Sequence, residues 1–111
     1  MIGADAIRGH IDLIVLAILE QSPSYAYAVA KSITNISDGN YTVKQTTLYT
    51  AMKRLEEAGA LSSHQAASDT GKPRTYYSLT PEGRTLLEHK RLEWAHTVHL
   101  IDHFAPRTPQ L

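Results

Sequence analysis

Thr46-Thr47-Leu48-Tyr49, Arg54-Leu55-Glu56-Glu57-Ala58-Gly59-Ala60-Leu61 and Gly71-Lys72-Pro73-Arg74-Thr75-Tyr76-Tyr77-Ser78-Leu79-Thr80-Pro81-Glu82-Gly83 follow one another in the stretch whose reading decides the fold. Leu48, Met52 and Leu55 recur at helical steps, so the first part reads as an amphipathic helix starting near Val43 or Lys44, with Gly59 as a left-handed stop. Residues 60–65 and 74–79 read as two strands, and the loop between them, 66–73, is too polar and too punctuated by Gly and Pro for a helix. Side chains alternate along a strand, so Thr75, Tyr77 and Leu79 share one face while Arg74, Tyr76 and Ser78 share the other. Thr80-Pro81-Glu82 opens a fresh helix with a capping hydroxyl, a proline at the first helical position and an acid in the first turn. Helix, basic hairpin, helix is the order of a winged helix-turn-helix, in which one helix enters a DNA major groove.

Upstream, Ile11, Ile14 and Ile18 keep helical spacing from Ile7 onward, and Leu13, Val15, Leu16 and Leu19 widen the stripe until most of that helix is apolar. Such a helix needs cover on several sides, which predicts a contribution from a partner subunit. Ser22-Pro23-Ser24 breaks the pattern, and Ser24 is placed to cap a second helix over residues 25–34 with Ala26, Val29, Ala30 and Ile33 inward. Ser37-Asp38-Gly39-Asn40 is a turn cluster between the second and third helices. Downstream, the last helix can run to Phe104, and Pro106 and Pro109 mark a frayed tail. The expected class is mainly α with a small two-stranded β-hairpin: a winged helix-turn-helix at 1–80, a long C-terminal dimerisation helix at 81–105 and a tail at 106–111.

Composition narrows the function. Eleven basic and eleven acidic residues cancel, so any attraction to nucleic acid must come from charge placed locally. No cysteine is present, which excludes a disulfide framework, a thiol nucleophile and cysteine-ligated zinc. The apolar run at 13–19 is far shorter than the roughly 20 residues of a membrane span, so the expectation is a soluble, cytoplasmic chain that does not engage a membrane. No serine or paired-carboxylate constellation is legible and the His-Glu-x-x-His zinc motif is absent. No catalytic residue, metal site or cofactor is expected.

With those residues in hand, the chain resembles the PadR family of bacterial transcriptional regulators from about Ile7 to Phe104. The match is carried by Arg8-Gly9-His10 opening the first helix, Tyr27 in the second, Thr47-Leu48-Tyr49 with Arg54-Leu55-Glu56 and Gly59 in the third, and Arg74 with Tyr76-Tyr77-Ser78-Leu79-Thr80 and Gly83. The resemblance implies a homodimeric repressor on a palindromic operator, of the branch whose single terminal helix crosses the partner's first helix. It also implies release by a small hydrophobic or aromatic effector. The chain departs from the family where Tyr25-Ala26-Tyr27 replaces a frequent His-Gly-Tyr, and where Lys44, Thr46 and Thr50 replace a small or capping residue, Gly and Pro. Those positions border the expected DNA surface.

A recognition helix reads bases with its N-terminal turns. Gln45, Thr46, Thr47 and Thr50 are therefore the candidates for direct readout, with Lys44 and Tyr49 beside them and Tyr27 added by the resemblance. Gln can pair with adenine, and threonine methyls can meet thymine methyls. Lys53 and Arg54, with Lys72 and Arg74 of the hairpin, can supply phosphate contacts that position without reading sequence; for Arg54 an ion pair with nearby Glu57 or simple solvation is the competing account. On the last helix Leu87, Trp94, Val98 and Ile101 line one face, with Leu86 and Phe104 beside it. That stripe fits dimer packing, and the resemblance adds Trp94, with Val98 and Ile101, as an effector platform. His89, His96, His99 and His103 fall on a common face of the same helix, compatible with a metal pair or a pH-sensitive surface. The competing classes are a winged helix serving a protein partner without DNA, which the acid-free run from Lys44 to Arg54 disfavours, and a histidine-metal hydrolase.

Overall fold

The computed structural model describes residues 2–107. Their order is α1 (Ala4–Ile7), α2 (Ile11–Gln21), α3 (Ala26–Ile36), α4 (Gln45–Glu57), β1 (Leu61–Ala67), β2 (Pro73–Leu79) and α5 (Pro81–Phe104). The mainly helical class, the antiparallel hairpin and the long terminal helix are as the sequence predicts. Of the tail, Pro109 lies outside the described residues.

Three local expectations are corrected. Apolar spacing from Ile7 predicts an unbroken helix, but the chain turns at Gly9, whose φ of +93° is one that only glycine adopts cheaply. Arg8-Gly9-His10 is thus a turn ahead of α2. Ser24 does not cap α3. Its N–H donates to the Tyr77 carbonyl at 3.1 Å and its carbonyl accepts from the Tyr77 N–H at 2.7 Å, so it extends the sheet by one bridge along the free edge of β2. Tyr25 becomes the N-terminal boundary residue, and α3 ends two residues later than expected, at Ile36. The hairpin is longer at its tip. Gly71 at φ +83° and a Ser68 N–H to Lys72 carbonyl bond of 2.9 Å close a tight turn, which carries pairing out to Ala67 opposite Pro73.

The core is one cluster. Val15, Leu16 and Leu19 of α2 meet Val29 and Ile33 of α3, Leu48, Met52 and Leu55 of α4, Leu61 and Tyr77 of the hairpin, and Leu87 of α5. The expected partner cover for α2 is largely supplied by the chain itself, because α3, α4, β2 and α5 all pack on it. Its flanking Leu13, Ile14 and Ile18 are partly buried. Apolar surface is left open on α5 instead, as shown below.

A polar knot locks α4, the hairpin and α5 together. The Thr80 hydroxyl donates to the Gly59 carbonyl at 2.7 Å and accepts from the Gly83 N–H at 2.9 Å, and the Thr80 N–H reaches the Ala60 carbonyl at 3.1 Å. Gly83 is what lets α5 come so near. A Cβ there would run into the Ala60 carbonyl oxygen and lie 2.7 Å from Leu79 Cδ1.

Candidate nucleic-acid interface

Helix α4 buries Leu48, Ala51, Met52 and Leu55, so at 100° per residue its outward direction is set. Thr46, Thr50 and Lys53 point straight away from the core; Gln45 and Tyr49 flank them toward the hairpin, and Thr47 and Arg54 toward α2. All seven are exposed. The first turn holds no acidic residue, leaving the positive end of the helix dipole unopposed by carboxylates. Lys44 is the extended residue just before the helix and caps nothing with its side chain. Tyr27, in the first turn of α3, is 63% exposed.

The sequence grouped Arg54 with the lysines as a phosphate ligand, with an ion pair to Glu57 or simple solvation as the competing accounts. The ion pair it forms is with a different residue: its guanidinium is bonded to the Asp12 carboxylate of α2, and the side chain stays about half exposed. The chain folds so that α2 crosses behind α4, and Asp12, forty-two positions away, is nearer than a carboxylate one turn along. By contrast, Lys44, Lys53, Lys72 and Arg74 have no carboxylate partner among the described residues, whereas Arg8, Arg91 and Arg107 are all ion-paired. Lys31 of α3 and Arg84 and Lys90 of α5 likewise form no ion pair among the described residues, so the segment from Lys44 to Arg74 holds four of the seven unpaired cations.

Tyr49 is half-exposed and lies under Lys53, whose Nζ is 5.9 Å from the ring centroid. Its hydroxyl adjoins that of buried Tyr77, which is pushed above its ordinary titration range first by burial and then by Tyr49 and Glu56. Tyr49 therefore links the outer face of α4 to the base of the hairpin. On the outer hairpin face, Arg74 Cζ sits 3.9 Å from the centroid of the Tyr25 ring, Tyr25 meets Tyr76 edge-on at 5.4 Å, and Tyr76 stacks on His64 at 5.8 Å. Lys72 is exposed at the tip beside Gly71.

On the other flank of α4, an open cleft of about 830 Å³ lies between the N-terminal segment and the helix, with Ile2, Arg8 and Asp12 on one wall and Thr46, Thr47 and Thr50 on the other. The Ile2 N–H donates to the Asn40 carbonyl at 2.8 Å and pins that segment beside the turn before α4. Hairpin and N-terminal segment thus bracket the outward face of α4.

The second predicted site lies along α5. Leu87 is buried, Leu86 and Val98 are partly buried, and Trp94, Ile101 and Phe104 are 45%, 53% and 80% exposed. Trp94 meets His10 edge-on at 4.8 Å above a small cleft of about 80 Å³ that also touches Leu13 and Thr97. Leu92 and Leu100 lie open on the opposite side, among His89, His96, His99 and His103. His99 and His103 have ring centroids 4.7 Å apart, but His103 Nδ1 is 2.8 Å from the His99 carbonyl oxygen, and no set of three metal-ligating side chains converges among the described residues. No helix among the described residues is long and apolar enough to cross a membrane.

Comparison with known proteins settles the family. The profile of the Transcriptional regulator PadR-like family matches residues 15–89, which run from α2 through the first two turns of α5. The chain belongs to the PadR family. A solved transcriptional regulator from Clostridium thermocellum is 40% identical, with a TM-score of 0.85 over 94% of this chain and 98% of that one. A PadR family transcription regulator from Clostridium difficile is 33% identical, with a TM-score of 0.74 over 86% of this chain and 98% of that one. Among sequences, protein X of Lysinibacillus sphaericus is 32% identical over 94% of this chain and 95% of its own length. The protein is thus a PadR transcriptional regulator, and regulators of this family are non-enzymatic DNA-binding proteins. That answers the hydrolase alternative raised by the histidines.

Proposed function

We propose that this PadR regulator is a homodimeric repressor that reads a palindromic operator with the outward face of α4. The single observation that carries the reading is the exposed, acid-free start of α4, bracketed by a hairpin whose Lys72 and Arg74 have no carboxylate partner among the described residues. In it, Gln45, Thr46, Thr47 and Thr50 face base edges, with Lys44, Tyr49 and Tyr27 alongside. Lys53, Lys72 and Arg74 hold phosphates. Arg54 has the lesser role, because releasing it to a phosphate would leave Asp12 unpaired. The second copy covers the apolar residues that α5 leaves open, and two recognition helices then meet half-sites about one helical turn apart. Drug-sized ligands occupy pockets of roughly 300–1,000 Å³, so the 80 Å³ cleft at Trp94 is only part of an effector site. A flat hydrophobic effector would be held by Trp94, Val98 and Ile101 once a second α5 supplies the other wall.

The test is fluorescence anisotropy of the purified protein with labelled fragments from upstream of its own gene, against scrambled DNA, across a salt series. Tight, selective binding is expected, with an affinity that falls steeply as salt rises. Removing one phosphate ligand should flatten the logarithmic salt slope by about 0.9, so Lys72→Ala with Arg74→Ala should weaken native and scrambled binding alike. Equal slopes for variant and wild type would remove the hairpin from the interface. Adding flat aromatic compounds to the preformed complex should release the DNA, and if none does so the effector role of Trp94 falls.

A further inference from the structure

We infer that Tyr25 is a positioning residue for DNA binding: its ring holds the Arg74 guanidinium in place for a backbone phosphate. The inference rests on the DNA-binding reading above and adds a residue to it. Arg74 is part-buried, its Cζ stacked 3.9 Å from the Tyr25 centroid, and it forms no ion pair among the described residues. A guanidinium in water samples many rotamers, and fixing one of them on a phosphate costs side-chain entropy. Stacking on a ring incurs that loss in the free protein while leaving the edge N–H groups available, since a π-face engages only the flat side of the fork. A carboxylate partner would also fix the side chain but would cancel its charge. The aromatic contact immobilises the charge and leaves it in force.

The ring is itself held. Ser24, its chain neighbour, is bridged to Tyr77 by two backbone hydrogen bonds, and Tyr25 meets Tyr76 edge-on at 5.4 Å. Tyr25 is the extended residue ahead of α3, so its side chain leaves the helix start toward the outer face of β2. Lys72, two residues before Arg74, has no such support and is exposed at the tip. The hairpin therefore carries one cation seated on a ring and one with no such contact among the described residues. Lysine at position 74 would keep the charge but lose the planar stack.

A double-mutant cycle tests this on a nonspecific duplex at low salt as well as on the upstream fragment, because phosphate contacts do not depend on sequence. Tyr25→Leu should weaken binding to both DNAs by about two- to fivefold, and Tyr25→Phe, which keeps the ring face, should restore binding to within about twofold of wild type. In an Arg74→Ala background, Tyr25→Leu should have no further effect. A merely structural tyrosine would weaken binding equally in both backgrounds, and that result overturns the proposal, as does a Tyr25→Leu variant that binds like wild type. Proton chemical shifts of the Arg74 side chain in the free protein supply the second readout: ring-current displacement in wild type and Tyr25→Phe, absent in Tyr25→Leu. If the wild-type protein binds neither duplex, the DNA reading fails and the inference with it; if it binds both and the cycle shows no coupling, only the inference fails.

Discussion

The two halves of α5 obey different rules. From Thr80 to Leu87 the helix is built into the core, with a capping threonine bonded in three directions, a glycine chosen for close approach and a leucine with no exposure. From Trp94 to Phe104 it carries large apolar side chains at comparable spacing, yet leaves them half or mostly open. Burying apolar surface is worth about 25 cal/mol per Å². One continuous helix is therefore first part of the core and then largely exposed. The difference teaches that periodicity finds an apolar stripe without saying whose surface covers it.

Gly83→Ala attacks the built-in half and should have the largest effect on the fold. The new methyl meets a backbone carbonyl that cannot swing aside, and overpacking of this kind costs about 1–3 kcal/mol. Thermal or urea unfolding should show the loss, and a midpoint equal to wild type would mean that α5 is not held as closely as described. Ile101→Glu combined with Phe104→Glu attacks the open half. Unfolding of the monomer should change by no more than about 0.5 kcal/mol, while sedimentation should show loss of the proposed dimer. Unchanged dimers would move the interface elsewhere; a collapse of monomer stability would show that this half belongs to the core after all.

The smallest expected effect lies at the junction between the two halves, where Arg91 bonds Glu20 of α2 at 2.7 Å and also Glu88. The hydrogen bond from Arg91 holds the Glu20 carboxyl below its ordinary value of 4.5. A depressed carboxylate stabilises the fold fully above its unfolded value, and the contribution is lost as pH falls through the folded value. Acidification below about 4.5 should therefore loosen α2 from α5 slightly, and less so in high salt because the pair is exposed. Hydrogen exchange along residues 88–94 would detect it, and exchange that is independent of pH after correction for the intrinsic rate would dismiss it.

Much of the candidate interface was legible because it is made of neighbours in the chain. Thr46, Thr50 and Lys53 share a face by helical geometry alone, and Lys72 and Arg74 flank a turn announced by Gly71 and Pro73. What was not legible depends on contacts across long stretches of chain. Arg54 had Glu57 as its nearest candidate partner until α2 brought Asp12 to it; Ser24 looked like a cap until β2 offered an edge; and nothing near Tyr25 announces a partner forty-nine positions on. Gly9 was hidden differently, since the apolar spacing from Ile7 to Ile11 runs through the turn undisturbed.

By itself the sequence determined the order of elements, the apolar stripe of each helix, the capping of α5 and the acid-free run from Lys44 to Arg54, because these follow from residue spacing and local hydrogen bonding. Only the tertiary structure decided which cations stay uncompensated, how Arg74 is held, and where apolar surface remains open. Those outcomes turn on distances of a few ångströms between residues far apart in the chain, and backbone paths, not side-chain periodicity, set such distances.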